Sequence, residues 1–121
     1  MKLPSRILSL SLVLLLPAAR INAHGFLEHS DPSVGSKVHS APAAVRIWFT
    51  EAIEPRFSSI QVFDATGKQV DKKDTHSDRS NRSLLQISLP PLGPGTYKVV
   101  WGVVSVDTHV TKGDFTFQIL R

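Results

Sequence analysis

Gly95-Thr96-Tyr97-Lys98-Val99-Val100-Trp101-Gly102-Val103-Val104 is the stretch on which the fold turns. Tyr97, Val99, Trp101 and Val103 alternate with Lys98, Val100, Gly102 and Val104, the period of two expected where successive side chains leave opposite faces of a strand. Because the second set is itself mostly apolar, the run suits a central strand with both faces partly covered. Working back along the chain, Pro90-Pro91-Leu92-Gly93-Pro94 must form a turn, since prolines cannot donate to a central ladder. Leu85, Ile87 and Leu89 alternate before it, and Val45, Ile47 and Phe49 do so earlier, with Arg46 and Trp48 on the opposite face. Ile60 to Phe63 leads into the turn Asp64-Ala65-Thr66-Gly67 and a weak polar strand through Val70. Residues 71–82 are charged, polar and aperiodic, which reads as a solvated loop. Working forward, Phe115, Phe117 and Ile119 make a last strand.

With a short first strand over residues 26–29, ended by Asp31-Pro32-Ser33-Val34-Gly35, about seven strands are expected. That number suits an all-β, immunoglobulin-like or cupredoxin-like Greek-key β-sandwich. Trp48, Trp101, Phe115 and Phe117 are spaced to pack its core.

The front of the 121-residue chain reads differently. Lys2 and Arg6 precede an apolar run over residues 7–16 that is too short to span a bilayer, and Ile21-Asn22-Ala23 offers a small residue for cleavage. Residues 1–23 are therefore expected to be a signal peptide and residues 24–121 the exported domain, beginning at His24. A cut after Ala19 would leave Arg20 first instead. Three of the 14 basic residues, Lys2, Arg6 and Arg20, precede His24, which leaves 11 against 10 acidic ones, a charge of +1. So balanced a surface carries no electrostatic signature of nucleic-acid binding. There is no cysteine, so the domain stands on its core without disulfides. The sole methionine is Met1, so the exported chain has neither of the soft sulfur ligands that select copper(I).

An N-terminal histidine chelates a metal through its α-amine and Nδ1 together, which no internal histidine can do. If Asp107 and His109 lie on extended backbone, their side chains leave one side, roughly 7 Å apart at Cα. His24, Asp107 and His109 together supply three nitrogens and one oxygen, a tetragonal set suited to one copper(II) ion per chain; zinc more often takes a tetrahedron. The α-amine, with a free pKa of about 7.7–8.0, must be deprotonated to ligate, so acid is expected to release the metal. His29 is left out of the site because the chain turns just after it, and His39 and His76 read as exposed. Glu51 closes the strand containing Phe49.

Several segments together resemble the CopC-type copper-resistance proteins. They are His24-Gly25-Phe26-Leu27, residues 30–35, Phe49-Thr50-Glu51, residues 92–97, Trp101, and Ser105-Val106-Asp107-Thr108-His109. The resemblance spans essentially the whole exported region, and its most specific part pairs the N-terminal histidine with the late Ser-x-Asp-x-His motif. It implies a periplasmic copper-binding protein that sequesters or carries the metal, copper(II) ligation at His24, Asp107 and His109 with Glu51 supporting the site, and as partner an inner-membrane copper transporter of the CopD type. Lacking a methionine-rich loop, the chain resembles the copper(II)-only branch. Two other readings stay open. One is a copper-dependent oxidative enzyme, which shares the N-terminal histidine chelate but needs an open position for oxygen. The other is a metal-free interaction module, which the fold alone would support. A monomer is expected.

Overall fold

The computed structural model describes residues 27–121. The expected signal peptide, its cleavage point and His24 lie outside the described residues. Eight strands form two four-stranded sheets packed face to face: β1 (Leu27–Asp31), β3 (Ala44–Phe49), β6 (Asn81–Ser88) and β5 (His76–Asp78) in the order β1-β3-β6-β5, and β2 (Lys37–Val38), β8 (Val110–Ile119), β7 (Gly95–Val104) and β4 (Ser59–Phe63) in the order β2-β8-β7-β4. All neighbours are antiparallel except β2 and β8. The β-sandwich expected from the alternation is what forms.

Its core is the inward set of each alternation. Val45, Ile47, Phe49, Leu85 and Ile87 of the first sheet meet Ile60, Val62, Tyr97, Val99, Trp101, Val103, Phe115, Phe117 and Ile119 of the second. Phe49 meets Trp101 edge to face at 5.3 Å, and Tyr97 stacks on Phe117 at 5.5 Å, both within the range favoured by aromatic pairs. The Tyr97 hydroxyl donates to the Gly93 carbonyl at 2.7 Å, closing the proline-rich turn before β7 as a tyrosine corner does.

Four local expectations need correction. The polar stretch from residue 71 to 82 is not all loop, because it contains β5 and the start of β6; β5 is a sheet edge, and a three-residue edge needs no apolar alternation to pair. The strand expected through Val70 is only an isolated bridge between Phe63 and Gln69. Asp71 stands in for a strand there. It is buried, its Oδ2 accepts the Val62 amide at 2.7 Å, and its Oδ1 accepts the Lys73 amide at 2.8 Å. Beside it the Ile60 amide donates to Thr75 Oγ1 at 3.2 Å and the Val70 amide to the Val62 carbonyl at 2.8 Å, so the outer edge of β4 is met by side chains and a single backbone bond. Third, Trp48 is not a core residue. It is half-buried on the outer face of the first sheet, where its ring lies 4.4 Å from that of His29 and within 10° of parallel. Fourth, residues 105–109 are not extended but form the hairpin loop between β7 and β8, whose ladder runs without a break from Gly95 and Ile119 to Val104 and Val110.

The strand directions decide what lies at the hairpin end. Val106 donates its amide to the Ala52 carbonyl, and Ile53 bridges to Ser105, so the segment leaving β3 is fastened to the loop. Leu27, which opens β1, is paired with Phe49, two residues before Glu51.

Candidate metal centre

The loop over residues 105–109 is tight because its polar groups close on themselves. The Ser105 amide donates to the His109 carbonyl and the Thr108 amide to the Ser105 carbonyl, each at 2.9 Å. Thr108 takes the left-handed conformation, with φ of +73°, which is uncommon for a residue branched at Cβ. That reversal folds the loop so that Asp107 and His109 meet: His109 Nδ1 lies 3.4 Å from Asp107 Oδ1. Glu51, delivered by the segment fastened to the loop, places Oε1 4.0 Å from the same nitrogen. One potential ligand atom from each of Glu51, Asp107 and His109 lies within 4.8 Å of the others, close enough to share an ion.

Two of the expected ligands are thus brought together by a turn where extended backbone was expected to do it. Glu51, expected only in support, stands in the cluster itself. The signal for it in the sequence was the family resemblance; what places it beside residues more than fifty positions later is the bridge between Ile53 and Ser105. His29 stays apart, stacked on Trp48, with Nδ1 3.5 Å from Glu28 Oε1. His39 and His76 are exposed, and the His76 ring contacts the Asp74 carbonyl.

The site is open. The side chains of His109 and Asp107 are 67% and 59% exposed and that of Glu51 37%, so among the described residues nothing covers the cluster. In such surroundings the direct ion pairs are weak, because water screens them. The Asp107 carboxyl is held below the ordinary 3.8 chiefly by the Ser105 hydroxyl, against an opposing desolvation, with the neighbouring His109 imidazole adding to the lowering. Asp107 is therefore charged across the neutral range and ready to ligate without releasing a proton. Imidazole nitrogen and carboxylate oxygen, with no sulfur, form a set that fits copper(II), nickel(II) or zinc(II) rather than copper(I).

A family model described as CopC domain matches residues 27–120. The chain belongs to the CopC domain family. Protein YobA of Escherichia coli (strain K12) is 36% identical over 100 residues, covering 80% of this CopC-domain chain and 79% of that protein. Copper transport protein CutJ of Bacillus subtilis (strain 168) is 34% identical over 98 residues, 80% of this chain but 18% of its own. Among solved structures, CopC from Methylosinus trichosporium OB3b superposes with a TM-score of 0.74 at 32% identity, over 80% of this chain and 94% of that one.

Proposed function

We propose that this CopC-domain protein is a periplasmic carrier of one copper(II) ion, held by the α-amine and Nδ1 of His24, an imidazole nitrogen of His109 and a carboxylate oxygen of Asp107, with Glu51 beside them. The observation that carries the reading is the convergence of Glu51, Asp107 and His109 at the end of the sandwich where β1 begins. Two residues separate His24 from Leu27, and the three residue steps between them span about 10 Å when extended. A chain starting at His24 therefore has the length to bring its terminus to this cluster. Nitrogen and oxygen ligands at an open site suit an ion that is to be given up again, and copper(II) heads the affinity order for such ligands.

A carrier needs a recipient, and we infer a membrane copper transporter of the CopD type. In CutJ, a sequence like this one occupies about a fifth of a copper transport protein, which supports direct hand-over. Binding, not catalysis, is the activity assigned. Asp107 beside His109 fills the place that an oxygen-activating copper enzyme leaves open, so the copper form should not sustain peroxide production when reductant is supplied.

The decisive experiment compares protein beginning at His24 with protein carrying one extra glycine before it. Copper(II) is titrated into each and followed by electron paramagnetic resonance. The native terminus should saturate at one equivalent with nitrogen coupling, and affinity should fall as pH drops from 8 to 6 and the α-amine is protonated. The extra residue removes the amine chelate and should weaken binding sharply. Equal binding by both proteins, or a pH-independent dissociation constant, would refute the N-terminal chelate.

A further inference from the structure

Of the Ser-x-Asp-x-His motif, copper ligation uses only the aspartate and the histidine. Ser105 is left over, and its position is odd. The inward residues of β7 are Tyr97, Val99, Trp101 and Val103, so the next inward place belongs to the core, yet it holds a serine that is 0% exposed. A hydroxyl buried there is costly unless both its capacities are used. Both are used, and both by residues of the metal cluster. Ser105 Oγ accepts the His109 amide at 3.1 Å and donates its proton to Asp107 Oδ1. The same residue is anchored from behind by its bridge to Ile53, a core residue 1% exposed. One rigid hydroxyl thus touches the carboxylate of one ligand residue and the backbone of the other, while the ligand side chains themselves lie in solvent.

We propose that Ser105 is a positioning residue for copper, whose buried hydroxyl holds the Asp107 carboxylate and the His109 backbone in their mutual placement before the metal arrives. The inference rests on the copper reading above and adds to it the residue that orders the exposed half of the site. Without the hydroxyl, Asp107 is free to sample the rotamers of an exposed aspartate, and the His109 amide loses its acceptor. Copper must then order both groups on binding, a cost that supporting groups around metal ligands normally remove.

The test is a double-mutant cycle on protein with its native His24 terminus, comparing Ser105→Ala, Asp107→Ala and the double variant. Ser105→Ala should weaken copper(II) binding by about tenfold, the lower end of what loss of a supporting group costs. In the Asp107→Ala background the same change should cost less than about threefold, because its principal partner is gone. A second measurement needs no metal: amide hydrogen exchange at His109 in the copper-free protein should speed up in Ser105→Ala while core amides such as that of Val99 keep their protection. Ser105→Cys, nearly the same size but a poor donor, should behave as Ser105→Ala does in both assays.

Equal losses in the two backgrounds would overturn the proposal by showing a general effect on the fold. So would unchanged affinity, or unchanged His109 exchange. Failure of the copper reading looks different: the unsubstituted protein would then bind no copper(II), which ends the role in copper binding, while the exchange result still decides whether Ser105 orders the loop.

Discussion

Replacing Thr108 by glycine should make the metal-free protein more stable. Thr108 sits at φ +73°, where its Cβ crowds the following carbonyl. For an L-residue that conformation costs about 1–2 kcal/mol. Glycine relieves the strain but restores backbone freedom to the unfolded chain, at about 0.5–1 kcal/mol. The side chain contributes little else among the described residues: Thr108 is exposed, and its hydroxyl bonds the adjoining Asp107 carbonyl. At the midpoints of the two ranges the difference is a gain of about 0.75 kcal/mol, which for a domain of this size raises Tm by roughly 3–6 °C. Urea and thermal unfolding of the copper-free protein measure it directly. Lys73→Gly is a useful companion, because Lys73 also has positive φ, at 58°, but is not branched at Cβ and should gain less. A Thr108→Gly protein less stable than its parent would refute the reasoning. It would mean that the left-handed turn is held by contacts of the threonine itself.

Two further outcomes follow from the core and from the acidic turns. Leu85 is fully buried in β6, where it pairs with Ile47, so Leu85→Ala should cost about 2–5 kcal/mol, read as a lower urea midpoint with little change in slope. Four aspartates have carboxyls held below the ordinary 3.8: Asp64 chiefly by the Thr66 hydroxyl, Asp74 by Ser88, Asp78 by the Ser80 amide and Asp107 by the Ser105 hydroxyl. A depressed folded pKa favours the charged form in the native state, so this stabilisation is complete above 3.8 and is lost as pH falls through that value toward the lower folded ones. Urea midpoints should therefore be level near pH 6 and decline below pH 4; a midpoint that rose on acidification would contradict the sign.

The strands that carry the core were legible because burial on one face imposes a period of two that nothing else in a short sequence imitates. Tyr97, Val99, Trp101 and Val103 needed no partner to be recognised. Strands that only cover an edge carry no such mark: Lys37–Val38 and His76–Asp78 are too short and too polar to alternate. Trp48 misled because its size suggests the core, while its parity with Arg46 places it outside, and parity decided. At the site, the residue types pointed to Asp107 and His109, but the means of bringing them together was hidden. A left-handed threonine has no sequence signature, unlike the glycine that usually fills such a position. Glu51 joins them through a pairing of Ile53 with Ser105 that spans half the chain, and no local pattern encodes so distant a contact.

The treatment of β4 by Asp71 and Thr75 bears on how such a protein survives in a crowded compartment. An open sheet edge invites a strand from another molecule, and a cysteine-free sandwich has no cross-links to resist the rearrangement that follows. Here the amides that would template an incoming strand, those of Ile60 and Val62, are already bonded to a hydroxyl and a buried carboxylate. Neither of those side chains can propagate a ladder. Self-association through this edge is opposed by two side chains that take no part in the metal cluster, so guarding the edge makes no demand on the residues that meet the ion.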